Sequence, residues 1–107
     1  METISDEVKA MYLTVQNQLH LLYDLLREHQ KKEAVSNQDY IHIKKLVQSI
    51  IAEEKVNDEL LGILPEIYYY SIKGEHACSL YTHIEDYEQK INNWLLLIQE
   101  VKFNLSS

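Results

Sequence analysis

The sequence predicts an all-α protein, an antiparallel four-helix bundle in which the first and last helices are long and the two between them are shorter. The 107-residue chain contains only two glycines and one proline, too few for the turns of a many-stranded sheet. Apolar residues recur at alternating spacings of four and three along four segments. The segments are joined by a few residues each, which places neighbouring helices antiparallel. We expect one domain, residues 1–107.

The first long helix is expected to begin near Ser5 and to end around residues 29–33. Asp6 and Glu7 suit its start, because the helix dipole favours negative charge there. Its apolar stripe comprises Val8, Tyr12, Val15, Leu19, Leu22 and Leu26, widened by Met11, Leu21 and Leu25. His29 lies in the last turn, where we interpret it as a boundary residue that complements the negative end of the dipole.

The second helix is expected to follow a capping box formed by Ser36 and Asp39. Its buried face comprises Tyr40, Ile43, Val47 and Ile50. The third helix is expected to start from Asn57 as N-cap and to kink near Pro65. Its predicted stripe comprises Leu60, Leu61, Leu64, Ile67, Tyr68 and Ile72. Gly74 is expected to end this helix in the left-handed conformation.

The last helix has the strongest periodicity and is predicted to be continuous over residues 77–105, about 40 Å at 1.5 Å per residue. Its stripe comprises Leu80, Ile84, Tyr87, Ile91, Trp94, Ile98, Val101 and Leu105. Side chains at this spacing share one face, so they require a partner surface along the whole length. The three earlier helices are expected to supply that surface.

The composition disfavours several classes of partner. A net charge of −7 does not suit direct binding to nucleic acid or to an anionic membrane, which both attract clustered lysine and arginine. The single cysteine, Cys78, permits no intramolecular disulfide. The N-terminus is acidic where a signal peptide would be basic, and no apolar run approaches the roughly 20 residues of a membrane span. We therefore expect a soluble, cytoplasmic protein.

The residues best suited to binding a partner are apolar side chains that cannot all face the core. Successive helical residues point about 100° apart, so with Tyr68 in the stripe, Tyr69 and Tyr70 are expected to be partly exposed. The alternative is that the long helices cover both rings. Leu96 is expected to emerge opposite the stripe of the last helix. We predict binding to another protein or to a second copy of the chain.

An acidic corner offers a second mode of binding. It is formed by Glu53, Glu54, Asp58 and Glu59, and it would dock onto a basic surface of the partner.

Catalytic and metal chemistry have little support. Asp39-x-x-His42 and His83-x-x-Asp86 each place a carboxylate one turn from an imidazole, and the alternative function is a bundle metalloprotein or small-ligand protein that uses His42 and His83. Both histidines fall beside the apolar stripes, where boundary residues are usual. Cys78 lacks a suitably placed base and is interpreted as a buried structural cysteine. We predict no catalytic residue, no metal and no cofactor; an apolar-ligand carrier would require a cavity.

Several segments resemble the YtzH-like family, small and functionally uncharacterised proteins of spore-forming Gram-positive bacteria. The resemblance lies in residues 23–30, 45–50 and 66–71, in His83-Ile84 and in Trp94-Leu95, and it covers residues 18–98. It implies a cytosolic helical protein and supplies no activity. Relatives have cysteines in the loop after the first helix; residues 32–36 contain none, so no role of those cysteines is transferred.

Overall fold

A computed structural model describes residues 15–33, 35–53, 56 and 58–106. These residues form five helices and no strand: α1 (Val15–Lys31), α2 (Asn37–Ala52), α3 (Asp58–Glu75), α4 (Leu80–Asp86) and α5 (Glu88–Ser106). The all-α prediction is confirmed. The predicted helix start near Ser5, the cap at Asn57 and the acidic residue Glu54 lie outside the described residues. No helix in the described part of the chain is both long and apolar enough to cross a bilayer.

The last predicted helix is interrupted, so the described residues form five helices where four were expected. Ser79 caps α4 by accepting a hydrogen bond from the Thr82 N–H at 3.3 Å. Tyr87 ends α4 with φ −107° and ψ 7°, values outside the helical region. Its N–H donates to Ile84 O, and its own carbonyl accepts from the Ile91 N–H at 2.8 Å. The predicted continuous helix over residues 77–105 is therefore wrong in two places: residues 77–79 precede α4, and Tyr87 interrupts it.

The apolar stripes meet in one core despite this break. α1 packs against α2 and α5, α2 packs against α3, and α3 packs against α5, while the short α4 contacts α3 and α5. The fully or almost fully buried residues of the predicted stripes include Leu19, Leu22, Leu26, Tyr40, Ile43, Val47, Ile50, Ile84, Ile91, Trp94, Ile98 and Val101. Periodicity thus identified the core-facing sides of α1, α2, α4 and α5.

The buried face of α3 differs from the predicted one. It comprises Leu60, Leu64, Ile67, Tyr70, Ser71 and Gly74. Leu61 is instead 43% exposed, and α3 continues through Pro65. Ser71 tolerates burial because its hydroxyl donates to the Tyr68 carbonyl at 2.6 Å within the same helix. Hydrophobicity alone missed this face because two of its positions are a serine and a glycine.

Gly74 is not the predicted left-handed cap. It lies inside α3, and neither glycine has positive φ. A Cβ atom at this position would overlap the ring of Tyr40, so glycine is needed for the close approach of α2 to α3. The left-handed residue in the described part of the chain is Lys32, with φ 58°, which ends α1.

The connection between α1 and α2 brings polar groups together beside the core. The N–H of Lys32 donates to the His29 carbonyl at 3.0 Å as α1 ends. The predicted capping box then opens α2, with the Ser36 N–H donating to Asp39 Oδ2 at 3.2 Å. This tight reversal places His29, in the last turn of α1, next to Asp39, in the first turn of α2.

Candidate functional site

A buried chain of three polar side chains lies where α1, α2 and α3 meet. His29 Nδ1 is 2.6 Å from the Tyr70 hydroxyl, and His29 Nε2 is 3.3 Å from Asp39 Oδ2. A carboxylate can only accept, so His29 carries its proton on Nε2 and donates it toward Asp39. Nδ1 then accepts from the Tyr70 O–H. The result is a Tyr–His–Asp relay of hydrogen bonds in which every link has one donor and one acceptor.

Burial determines the protonation of this relay. His29 and Tyr70 are both 0% exposed. Burial lowers the pKa of His29 below its usual value, although the neighbouring Asp39 opposes the shift. Burial, reinforced by Tyr40, raises the pKa of Tyr70 far above the ordinary value of a phenol. At neutral pH the imidazole and the phenol are therefore both uncharged, and the Tyr70 hydroxyl is out of reach of a solvent-borne substrate.

An aromatic cluster continues from this relay toward α4 and α5. The His83 ring stacks on Tyr70 with centroids 4.8 Å apart, and its Nε2 donates to the Tyr70 carbonyl at 3.0 Å. Tyr87 and Trp94 meet Tyr70 edge-on at 5.1 and 5.6 Å. Trp94 Nε1 donates to Glu66 Oε1 at 3.1 Å. Tyr87, the residue that separates α4 from α5, thus contributes its ring to the contact between α3 and the last two helices.

Tyr70→Phe is expected to lower the free energy of unfolding by about 1–2 kcal/mol, because the loss of its hydroxyl leaves His29 Nδ1 buried without a donor. Tyr40→Phe is the matched control. The Tyr40 hydroxyl is also buried beside Tyr70, but its removal leaves His29 Nδ1 with its donor, so stability should fall by less than in Tyr70→Phe. Urea denaturation at pH about 7.5 measures both. Equal losses in the two variants would contradict the assigned relay.

The structure places the predicted binding residues in two different environments. Tyr69 is 63% exposed and Leu96 is 66% exposed, as expected. Tyr70 is fully buried, so its predicted exposure is wrong. The reason is that α3 turns its serine and glycine side inward, and Tyr70 lies on that side with its hydroxyl hydrogen-bonded to His29. The role of Tyr69 and Leu96 in binding stays a prediction.

Tyr69 belongs to an apolar depression between α2 and α3, here called the Tyr69 surface. It is lined by Gln48, Ile51, Pro65, Tyr68, Tyr69 and Ile72. Ile51 is 43% exposed, and Leu61, one turn before Pro65 on α3, is equally exposed. Of the predicted acidic corner, Glu53, Asp58 and Glu59 are exposed where α2 ends and α3 begins. The apolar surface therefore has acidic side chains at one end.

The residues of the predicted alternative chemistry do not form a common site. His42 is exposed and lines a groove between α1 and α2, whereas His83 is buried against Tyr70. The expected boundary position of His83 is wrong, because its ring fills the aromatic cluster. Within the described residues, no three histidine, cysteine or acidic side chains are arranged to hold a metal ion. Cys78, interpreted as buried, is exposed in the connection between α3 and α4.

Sequence reasoning missed the relay, although a signal for it was present. His29 follows Leu26 by three residues and so continues the four-three alternation of the α1 stripe. That position indicates a buried imidazole, and a buried imidazole requires hydrogen-bond partners. Asp39 was assigned to the cap alone, yet its carboxylate serves both the Ser36 N–H and His29. Only the packing of α3 identifies the third member, Tyr70.

Comparison with known proteins assigns the chain to a family. The family described as YtzH-like protein matches residues 13–98. The chain belongs to the YtzH-like family. It is 26% identical over 85 residues to the "Uncharacterized protein YtzH" of Bacillus subtilis strain 168, a match that covers 79% of this chain and 92% of the relative. No solved structure matches the chain.

Membership of the YtzH-like family confirms the resemblance found in the sequence. The matched residues include all of α1, α2, α3 and α4 and residues 88–98 of α5. They therefore include the Tyr–His–Asp relay and the Tyr69 surface. The name of the Bacillus subtilis relative gives no activity that could be transferred to this chain.

Proposed function

We propose that this member of the YtzH-like family is a non-enzymatic cytoplasmic protein that binds another protein through the Tyr69 surface. In this proposal the four longer helices form an antiparallel bundle that serves as a rigid scaffold. The observation that supports it is the 63% exposure of Tyr69 beside Ile51, which is 43% exposed, in one apolar depression. Tyrosine supplies a large contact area with few rotatable bonds and is enriched among the residues that dominate binding energies.

The position of Tyr69 favours a binding role for its side chain over an isolated exposed tyrosine. Tyr68 is half-buried, and Pro65 and Ile72 lie on the same side of α3, so the exposed ring continues an apolar surface that already leaves the core. A partner side chain placed there would bury Tyr69 and Ile51 together. Burial of a side chain of this size contributes about 1.5–3 kcal/mol before the costs of association.

Charge defines the chemistry of the partner. The chain has 17 acidic residues against 10 lysines and arginines, and Glu53, Asp58 and Glu59 are exposed at one end of the Tyr69 surface. We therefore expect an apolar partner segment flanked by lysine or arginine. Such a complex forms faster at low salt, because exposed charges steer the encounter and are screened as ionic strength rises.

Tyr69→Glu is expected to weaken partner binding by about tenfold or more, since it places a charge in the centre of the apolar contact. The tagged protein is used to capture proteins from its native cell, and bound proteins are quantified by mass spectrometry with and without the substitution. The affinity of a purified candidate is then measured by calorimetry at two salt concentrations.

Leu96→Glu is the matched control, because Leu96 is as exposed as Tyr69 but lies on α5. A partner that is retained by Leu96→Glu and lost by Tyr69→Glu and Ile51→Glu supports the proposal. If only Leu96→Glu abolished partner binding, the binding site would lie on α5 and not at the Tyr69 surface. Partner binding that ignores all three substitutions would reject both surfaces.

A further inference from the structure

A second apolar groove, separate from the Tyr69 surface, runs between α1 and α2. Its volume is about 440 Å³, and its floor is formed by Leu21, Leu25 and Leu46. Leu21 is 45% exposed, and the other two leucines are half-buried. Leu21 and Leu25 belong to the widened stripe of α1, but the core formed by the described helices covers only part of that width. This floor is thus apolar surface that the chain's own described packing leaves uncovered.

The two edges of this groove have opposite charges. Asp24 and Glu28 line it from α1, and Lys45 lines it from α2, with His42 beside it. All four side chains are exposed. None of the three charged residues forms an ion pair within the described part of the chain. The groove therefore presents an acidic edge and a basic edge that do not neutralise each other across its floor.

We infer that this groove is the interface at which two copies of the chain associate about a two-fold axis. An axis parallel to the groove places α1 of each copy against α2 of the other, so that each acidic edge meets a basic edge. An axis across the groove would instead oppose acidic to acidic, which is unfavourable. The charge pattern thus selects one of the two symmetric arrangements.

The positions of the charged residues along the helix axes fit the same arrangement. α1 and α2 are joined by the short connection of residues 32–36 and run in opposite directions. Asp24 and Lys45 each lie about 11 Å along their helix from that connection, at 1.5 Å per residue. Rotation about a two-fold axis parallel to the groove leaves each residue at the same position along the groove. Asp24 of one copy therefore faces Lys45 of the second, twice per dimer, while Leu21 and Leu46 of both copies are buried between them.

Charge reversal tests this pairing directly. Lys45→Glu in both copies places acidic groups opposite each other at both contacts. The double variant Asp24→Lys/Glu28→Lys instead places basic groups opposite each other. Each variant alone should therefore dissociate at least about tenfold more readily than the unaltered chain. An equimolar mixture of the two variants restores both attractions. Sedimentation equilibrium over about 1 µM to 1 mM, with one variant carrying a mass tag, should show a heterodimer in the mixture and monomers in each separate sample.

A pair of leucine substitutions tests the apolar floor. Leu21→Glu should abolish the dimer, whereas Leu61→Glu, at a residue of similar exposure on α3, should leave it intact. Circular dichroism confirms that both variants fold. An unaltered protein that is monomeric at about 1 mM, a dimer that survives Leu21→Glu, or a mixture that forms no heterodimer overturns the inference. A monomer that binds a hydrophobic dye through Leu21 would assign the groove to small apolar ligands and overturn it equally.

Discussion

Gly74→Ala is expected to lower the free energy of unfolding by about 3 kcal/mol, although alanine is the better helix former by about 1 kcal/mol. The added methyl group would overlap the Tyr40 ring, and Tyr40 is fully buried among the other residues of the core. Ring or helix must therefore move, which also strains the contacts of Tyr40 with His29 and Tyr70. Urea denaturation followed by circular dichroism measures the loss.

Gly62→Ala in the same helix is the matched control. Gly62 is exposed, and nothing lies within 4 Å of the position that its Cβ would occupy. The substitution should therefore stabilise the protein by about 0.5–1 kcal/mol through helix propensity alone. Opposite signs for the two glycines are expected. A Gly74→Ala protein as stable as the unaltered chain would show that α2 and α3 do not approach as closely as described.

These two glycines also show which parts of the helix packing can be predicted from the sequence. Regular spacing of large apolar residues predicted the buried sides of four helices, because burial of such side chains dominates helix packing. It could not orient α3, which has two overlapping apolar stripes. The choice between them depends on whether a small residue is needed at the contact, and Gly74 is required only because Tyr40 lies opposite it. The need for a small residue at position 74 therefore follows from the packing of α2 on α3 and cannot be predicted from the sequence of either helix alone.

The break at Tyr87 and the buried relay escaped prediction for a related reason. The stripe that passes from Ile84 to Ile91 keeps the same spacing through the break, so periodicity is blind to it. What distinguishes Tyr87 is the contact of its ring with Tyr70, which belongs to α3 and is distant in sequence. Likewise, the exposure of Tyr69 and Leu96 follows from local geometry, whereas the burial of Tyr70 depends on which side of α3 faces the core and on its hydrogen bond to His29.

Acidification below pH about 6.5 is expected to destabilise the protein, with His29 and His83 as the principal cause. Burial lowers the pKa of both imidazoles below the value of about 6.5 that applies in the unfolded chain. Between the folded and unfolded values, the unfolded chain binds more protons than the folded one. Stability is therefore complete above pH about 6.5 and falls as the pH decreases, by up to about 1.4 kcal/mol per pH unit for each histidine.

The neighbours of each imidazole agree with this sign. His29 faces Asp39 and Tyr40 from α2 and Tyr70 from α3, and the carboxylate only partly offsets burial. Protonation would place a second N–H on Nδ1, where the Tyr70 hydroxyl now donates, so the relay would have to reverse at that link. His83 faces the Tyr70 carbonyl and the Tyr40 and Tyr87 rings, with Asp86 favouring and Lys73 opposing its charge.

Urea denaturation at several pH values gives the slope of the unfolding free energy against pH. A substitution that lowers stability equally at every pH leaves this slope unchanged. His29→Gln and His83→Gln should each reduce the slope below pH about 6.5, because each removes one group that only the unfolded chain protonates. Equal stability at pH about 7.5 and about 5.5, or a slope that both substitutions leave unchanged, would show that His29 and His83 are not held neutral by burial.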